Sequence, residues 1–176
     1  MIAKKARFIG MTGSVRKGYN GSPKPVAEYN VVKDIPACKK VFMADWPISI
    51  TPTDTCGLIK LKGNLYQEML EATNLHAKLV MDNYKTWLIK HSWITLHYWK
   101  QKKKFQKESS VLFDTVAIYM AFREDKIRYE TVKLTITDNG FTQESSNGKP
   151  CRCALTWTDQ QGFEEFLVSR LLGKSE

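Results

Sequence analysis

The spacing of apolar residues changes from helical to alternating after about Phe122, and this change limits the folds that are possible. Up to about Phe122, apolar residues recur at helical spacing or in short runs. In Thr131–Thr137 and again in Arg152–Trp157 they alternate with polar residues, which is typical of strands buried on one face. Asp138–Gly140 is a turn sequence between the two segments, so they are predicted to pair as antiparallel neighbours in a hairpin.

The rest of the chain predicts short strands and several helices. Two short apolar runs are predicted strands: Ala6–Met11 and Ile48–Thr51. Helical spacing and end signals predict helices over Ile35–Ala44, Leu65–Leu70 and Leu75–Trp99, from an N-cap at Ser110 to about Phe122, and from a cap at Asp159 to a stop at Gly173. This order predicts an α/β fold with a mixed sheet, and 176 residues suit one domain spanning residues 1–176.

The net charge of +9 comes from two blocks of the sequence. Residues 1–40 hold nine basic and two acidic side chains, and Lys100–Lys107 holds five lysines. Such blocks attract nucleic acid or another anion, but a lysine run more often forms a solvated loop, so nucleic acid is not the expected partner. No apolar run reaches the roughly 20 residues needed to cross a bilayer, and no secretory signal is visible. The sequence therefore predicts a cytoplasmic protein without a membrane partner.

The four cysteines do not form a metal-binding pattern. Cys151 and Cys153 are separated by one residue, so a strand would place both on the same face. Cys38 and Cys56 have no histidine partner at zinc spacing. All four are predicted to be small buried or half-buried groups without a metal or redox role.

Three polar side chains stand out near special backbone segments. Glu28 and Asn30 follow the loop Thr12–Pro25, which is rich in Gly, Ser, Asn and Pro. Hydrogen bonds that cap this loop and a ligand-binding role both fit these two residues. Asp114 has two interpretations. It can be an acid at the start of a helix, where the macrodipole favours a negative charge. Alternatively, it is an acid in apolar surroundings beside Phe113, where the carboxylate needs a cation or several hydrogen-bond donors to stay charged.

Three stretches, in this order, resemble the C-terminal half of the inosine/uridine-type nucleoside hydrolases: GMTGSVRKGYNGSPKPVAEYNV, WPISITPTDTCG and SSVLFDTVAIYMAF. The segment Val132–Leu172 is similar to the family's tail. The resemblance implies the C-terminal half of a Rossmann-like fold with a mixed sheet, a C-terminal β-hairpin and a closing helix. It also implies hydrolysis of the N-glycosidic bond of ribonucleosides.

The resemblance assigns roles to four residues. Glu28 and Asn30 would bind ribose hydroxyls, and Asn20 lies near the place of a further sugar-binding asparagine. Asp114 matches a late aspartate that binds calcium and touches the ribose, and the calcium would hold the attacking water. Many relatives carry histidine just before this aspartate as leaving-group acid, where this chain has Phe113. Catalytic residues are therefore left unassigned.

The family's DTDxGxDD-type aspartate cluster has no counterpart here, because the other aspartates of the first half are isolated: Asp34, Asp45, Asp54 and Asp82. We therefore expect the chain alone to be inactive and to need a companion chain or self-association. A truncated gene, or a non-catalytic remnant that binds sugar or nucleic acid, is the alternative. His91 and His97, near Trp93 and Trp99, fit core or surface histidines better than groups that approach a base.

Overall fold

A computed structural model describes residues 5–90 and 102–174 of the chain. These residues form two compact units, each built from two separate stretches of sequence. Unit 1 comprises Met1–Ile59 and Leu112–Gln160, and unit 2 comprises Lys60–Val111 and Gln161–Glu176. The single domain over residues 1–176 stays a prediction, and the units are described separately below.

Unit 1 contains a five-stranded mixed sheet, as the sequence predicts. Its strands are β1 (Phe8–Met11), β2 (Ile48–Thr51), β3 (Ile127–Ile136), β4 (Thr142–Glu144) and β5 (Lys149–Trp157). The spatial order is β1-β2-β5-β3-β4. The pairs β1–β2 and β2–β5 are parallel, and the pairs β3–β5 and β3–β4 are antiparallel.

The predicted antiparallel pairing of the two alternating segments is confirmed, with one added strand. Gly140 has φ +82°, and the tight turn there sends the chain back along β3 as the three-residue strand β4. A second turn before Lys149 then starts β5 on the opposite side of β3. Only three residues of β4 pair, which is too short a segment for an alternating pattern to be recognised.

The alternating residues form the core of unit 1. Val132, Leu134 and Ile136 of β3 are buried, as are Cys151 and Cys153 of β5. They pack in one cluster with Ile48 and Ile50 of β2, Val15, Val31, Phe42 and Leu155. The predicted burial of this cysteine pair on one strand face is confirmed.

Three helices belong to unit 1: α1 (Tyr29–Lys33), α2 (Ile35–Met43) and, after unit 2's first stretch, α5 (Phe113–Met120). The Asp34 side chain begins α2 by accepting a hydrogen bond from Ala37 N at 2.9 Å. The predicted N-cap at Ser110 is wrong, because α5 begins three residues later with Leu112 as its N-cap. Leu112 N is already used in a hydrogen bond to Ile59 O at 3.0 Å, which holds the chain outside the helix at that point.

Unit 2 is helical, with α3 (Gly63–Glu71), α4 (Leu75–Lys90) and α6, which spans Gln160–Leu171 and lies in this unit from Gln161 onward. The helix predicted over Leu75–Trp99 is confirmed as far as Lys90, and the remainder lies outside the described residues. The solvated loop expected of the lysine run Lys100–Lys107 is wrong in part, because residues 102–105 are helical. Lysine has a good helix propensity, so a lysine run does not end a helix by itself. Gly173, with φ +71°, follows the end of α6 as predicted.

The strand β1 lies at one edge of the sheet. Phe8 N donates to Pro47 O of the segment leading into β2 at 2.9 Å. Backbone groups of successive residues point alternately to the two sides of a strand, so the N–H of Ile9 points away from β2. This leaves the outer side of β1 free of strand pairing within the described residues. No helix in that part of the chain is both long enough and apolar enough to cross a membrane.

Candidate functional site

A cavity of about 310 Å³ lies in unit 1, at the end of β1. Its lining residues are Met11, Tyr19, Glu28, Tyr29, Asn30, Phe113 and Asp114. Met11 is the last residue of β1, so the cavity lies at the carboxyl end of the parallel strands, where α/β sheets commonly bind ligands. Three of the four residues that the resemblance assigns to the site therefore meet in one cavity.

Glu28 is the buried centre of this cavity, with 2% of its surface exposed. Its Oε2 accepts a hydrogen bond from Gly13 N at 3.1 Å, and its Oε1 accepts one from Asn30 N at 2.9 Å. The second bond makes Glu28 the N-cap of α1. The capping hydrogen bonds expected from the sequence therefore exist, and they fix the carboxylate while it still faces the cavity.

Gly13 makes this arrangement possible through its backbone conformation. Its φ is +84°, and a Cβ at this position would lie 2.7 Å from Thr142 Oγ1. A side chain is therefore excluded both by the left-handed backbone and by the close approach of Thr142. The loop can thus direct the N–H of Gly13 to the carboxylate of Glu28.

Asn30 is held by the end of β1. Its Nδ2 donates to Met11 O at 3.1 Å and also lies 3.2 Å from Met11 Sδ. Because the amide nitrogen is used in this way, the amide oxygen is the part of the side chain left to accept a hydrogen bond. Within the described residues this oxygen has no donor, and the side chain is exposed to the cavity.

Tyr19 and Phe113 form an aromatic wall of the cavity. Their ring centroids are 5.9 Å apart at an interplanar angle of 84°, an edge-to-face contact. The Tyr19 hydroxyl accepts a hydrogen bond from Tyr29 N at 2.9 Å and lies 3.5 Å from Glu28 Oε1. Burial raises the pKa of Tyr19, and the nearby carboxylate of Glu28 raises it further. The phenol is therefore neutral, and its proton is available to Glu28.

Asp114 lies in the first turn of α5, as expected for an acid at a helix start. Of the two alternatives left open by the sequence, the one with the carboxylate in apolar surroundings is wrong, because the side chain is exposed. The helix turns Val116, Tyr119 and Met120 inward, and this leaves Asp114 on the open face beside the cavity. Its carboxylate makes no hydrogen bond or ion pair to any described residue.

Asp54, which the sequence shows only as an isolated acid, holds the loop that leads to the cavity. With 2% of its surface exposed, it accepts hydrogen bonds from three consecutive backbone N–H groups. The distances are 2.9 Å to Val15 N, 2.8 Å to Arg16 N and 3.0 Å to Lys17 N. Thr53 Oγ1 donates to Lys17 O at 2.6 Å, which fixes the same loop from the other side. Three backbone donors leave no trace in the sequence, so this residue was missed.

Asn20 is not among the residues that line the cavity. It lies in a short 3-10 turn, Tyr19–Gly21, with a left-handed backbone at φ +56° and ψ +29°. Asparagine tolerates this conformation better than most residues, which gives Asn20 a structural reason to stand there. His91 and His97 lie outside the described residues.

The family model for "Inosine-uridine preferring nucleoside hydrolase" matches residues 1–165 of the chain. The chain belongs to this family. No curated protein matches it in sequence. Family membership makes the chain a nucleoside hydrolase-like protein that is related to enzymes acting on ribonucleosides.

Solved structures of nucleoside hydrolases share the fold. A purine-preferring ribonucleoside hydrolase from Gardnerella vaginalis is 15% identical in sequence, with a TM-score of 0.69. The match covers 95% of this chain and 52% of the chain of that enzyme. The plant nucleoside hydrolase PpNRh1 is 15% identical, with a TM-score of 0.67 over 93% and 52%. The inosine-uridine preferring nucleoside hydrolase from Bacillus anthracis is 14% identical, with a TM-score of 0.58 over 94% and 50%. The chain therefore spans about half the length of the structures it matches.

The nucleoside hydrolase family implies a metal ion, so the metal-binding side chains of this chain are of interest. No group of three or more His, Cys, Asp or Glu side chains suited to a metal ion occurs within residues 5–90 and 102–174. Calcium takes about 6 to 8 oxygen ligands, whereas Glu28 is already bound to backbone donors. Asp114 suits calcium as a carboxylate ligand, but alone it supplies too few oxygen atoms to hold the ion. Cysteine adds no metal ligand at the strand β5, because a thiol binds a metal as the thiolate. Burial raises the pKa of Cys151 to about 11 and that of Cys153 to about 12, so both thiols are neutral.

Proposed function

We propose that this chain forms the ribose-binding part of a site that hydrolyses the N-glycosidic bond of ribonucleosides. Its family gives the reaction class. The observation that carries the proposal is the cavity in which Glu28, Asn30 and Asp114 meet. Two carboxylates and an amide oxygen, next to aromatic rings, suit a ligand with several hydroxyl groups and an apolar face.

Each polar group has a defined part in this proposal. The carboxylate of Glu28 keeps a fixed direction through its bonds to Gly13 N and Asn30 N, and its remaining lone pairs accept hydrogen bonds from ribose hydroxyls. The amide oxygen of Asn30 accepts another. Asp114 accepts a further hydroxyl at the open side of the cavity. Asn20 is kept as a more distant sugar-binding candidate at the same loop.

The same groups favour cleavage of the bond to the base. Departure of the base leaves positive charge on the ribose ring in an oxocarbenium-like transition state. The carboxylate of Glu28, which is already fixed in place, stabilises this charge without reorganising, and Asp114 adds a second negative charge at the open side. The rings of Tyr19 and Phe113 reduce the access of water to one side and so strengthen these interactions. No residue of the chain is assigned to activate water or to protonate the base.

Calcium and a partner complete the proposal. The chain offers Asp114 as one calcium ligand, and most of the remaining ligands have to come from elsewhere. The edge strand β1 supports a companion chain as their source, because its last residue, Met11, lines the cavity. A parallel strand added along β1 would end at the same side of the sheet. A second copy of this chain is the other occupant considered for this edge, and a cytoplasmic location stays a prediction.

Pairing along β1 makes a prediction about assembly. In the absence of a companion, we expect the purified chain to form a dimer or larger species at micromolar concentration, measured by multi-angle light scattering. Ile9→Pro removes an N–H that points away from β2, so it should block edge pairing and keep the contacts to β2. The variant is expected to be monomeric with cooperative unfolding. A wild-type monomer, or a variant with unchanged mass, would contradict the proposed pairing.

Sugar binding makes a second prediction. Glu28→Gln and Asp114→Asn are each expected to weaken binding of a cationic iminoribitol by about tenfold or more, measured by isothermal titration calorimetry, because each removes a charged acceptor. Asp114 is exposed and has no partner among the described residues, so its substitution should leave the melting temperature unchanged. Asp82→Asn, an exposed aspartate on α4, is the matched control and should bind like wild type. Equal affinity of all four proteins would exclude this cavity as the sugar site.

A non-catalytic module that binds sugar or nucleic acid is the second candidate function. It is favoured by the incomplete donor set for calcium among the described residues. Such a module would bind the iminoribitol and still release no base after a companion chain and calcium are supplied. Base release under those conditions would exclude it.

A further inference from the structure

Two distant segments of unit 2 are held side by side. Ser109 N donates to Leu61 O at 3.0 Å, and Leu61 N donates to Ser109 Oγ at 3.0 Å. Lys62 and Glu108 pair as an antiparallel bridge next to these bonds. Leu61 and Ser109 are both buried, so the backbone that carries the neighbouring side chains is fixed.

Three ammonium groups converge on one carboxylate at this point, and we call Lys60, Lys62 and Lys104 the lysine cluster. Lys60 Nζ and Lys104 Nζ lie 3.9 Å and 4.0 Å from Glu108 Oε1, and Lys62 Nζ lies 3.6 Å from Oε2. These distances are too long for hydrogen bonds. Each ammonium group therefore keeps its N–H donors for another acceptor.

The charge of the lysine cluster exceeds that of its one recorded ion-pair partner among the described residues, Glu108. One carboxylate compensates one of three ammonium groups. The segments 60–62 and 102–108 contain Glu108 as their single acid. Like charges held this close together on a fixed backbone repel each other, and an incoming anion relieves that repulsion.

We propose that the lysine cluster binds a short polyphosphate chain, either free or as part of a nucleoside triphosphate. Three donors around one point suit a compact anion of high charge, whose oxygens can reach all three lysines. An extended nucleic-acid strand would instead place its phosphates along a line. This proposal lies in unit 2 and does not depend on the nucleoside site.

The test is calorimetric titration of the full chain with inorganic tripolyphosphate and with ATP, at low and at physiological salt. Lys60→Gln, Lys62→Gln and Lys104→Gln combined are expected to raise the Kd about tenfold, as three modest charge contacts are lost. The matched control combines Lys40→Gln, Lys78→Gln and Lys85→Gln, which changes the net charge equally at exposed helix positions. It should change the Kd by less than about twofold, because long-range charge effects are screened.

Glu108→Gln gives a test in the opposite direction. It removes the anion that competes for the three ammonium groups and keeps the side-chain shape, so tighter binding of tripolyphosphate is expected. A folding defect cannot produce that gain. Equal weakening in the two triple variants would show that binding depends on net charge alone and would overturn the proposal. Weaker or unchanged binding by a folded Glu108→Gln variant would also overturn it. Binding of a single-stranded oligonucleotide without binding of tripolyphosphate would overturn it as well.

Discussion

Free base should not be released from inosine or uridine by the purified chain above the rate without protein, even with calcium present. A calcium ion needs about 6 to 8 oxygen ligands, and Asp114 supplies one carboxylate. Without a held water and a base to activate it, carboxylates around the ribose cannot complete hydrolysis. Base release followed by chromatography over many hours measures this, and a complete nucleoside hydrolase in the same buffer shows that the assay works.

The opposite outcome is equally specific. Base release that disappears in Asp114→Ala and persists in Asp82→Ala would mean that the chain holds a complete site by itself. The proposed need for a companion chain would then be wrong, whereas the proposed sugar cavity would stand. This assay therefore separates the two parts of the proposal.

Asp54→Asn should lower the free energy of unfolding by about 3 kcal/mol, because hydrogen bonds to a buried charged acceptor are among the strongest individual contributions. The carboxylate accepts from Val15, Arg16 and Lys17, and an amide replaces one acceptor oxygen with a donor that faces N–H groups. Urea unfolding followed by circular dichroism measures the difference.

Asp82→Asn is the control for this experiment, since Asp82 is exposed on α4 and should change stability by less than about 0.5 kcal/mol. A loss in Asp54→Asn as small as in the control would show that the loop is held by other contacts. Thr53, whose hydroxyl donates to Lys17 O, would be the first of these to test.

Local sequence signals were enough for the elements that have clear ends. The strand β2 has the predicted bounds because prolines flank it on both sides, at Pro47 and Pro52. Helix α2 was predictable from Pro36 and the spacing of its apolar residues. The start of α5 could not be predicted, since it depends on a hydrogen bond from Leu112 N to Ile59 O, which is far away in sequence. Strand β4 could not be predicted either, because its three residues form a strand by pairing with β3.

The residues of the candidate site also divide into those that the sequence could predict and those that it could not. Glu28, Asn30 and Asp114 could be selected from their resemblance to family motifs, and they do line one cavity. Asp54 could not, because its partners are backbone groups that every residue possesses. The exposure of Asp114 was also hidden, as the direction of a single side chain on a mostly apolar helix depends on which face packs.

The order of the strands has a consequence for synthesis on the ribosome. In the middle of the sheet β2 pairs with β5, in the register Ser49 with Arg152, so residues 52–148 must be made before this pairing can form. Until then β1 and β2 form a two-stranded ribbon whose β2 side is open, and such a ribbon is at best marginally stable by itself. The nascent chain thus exposes the open edge of β2 while residues 52–148 are made, which favours capture by chaperones and delays burial of Ile48 and Ile50 until β5 emerges.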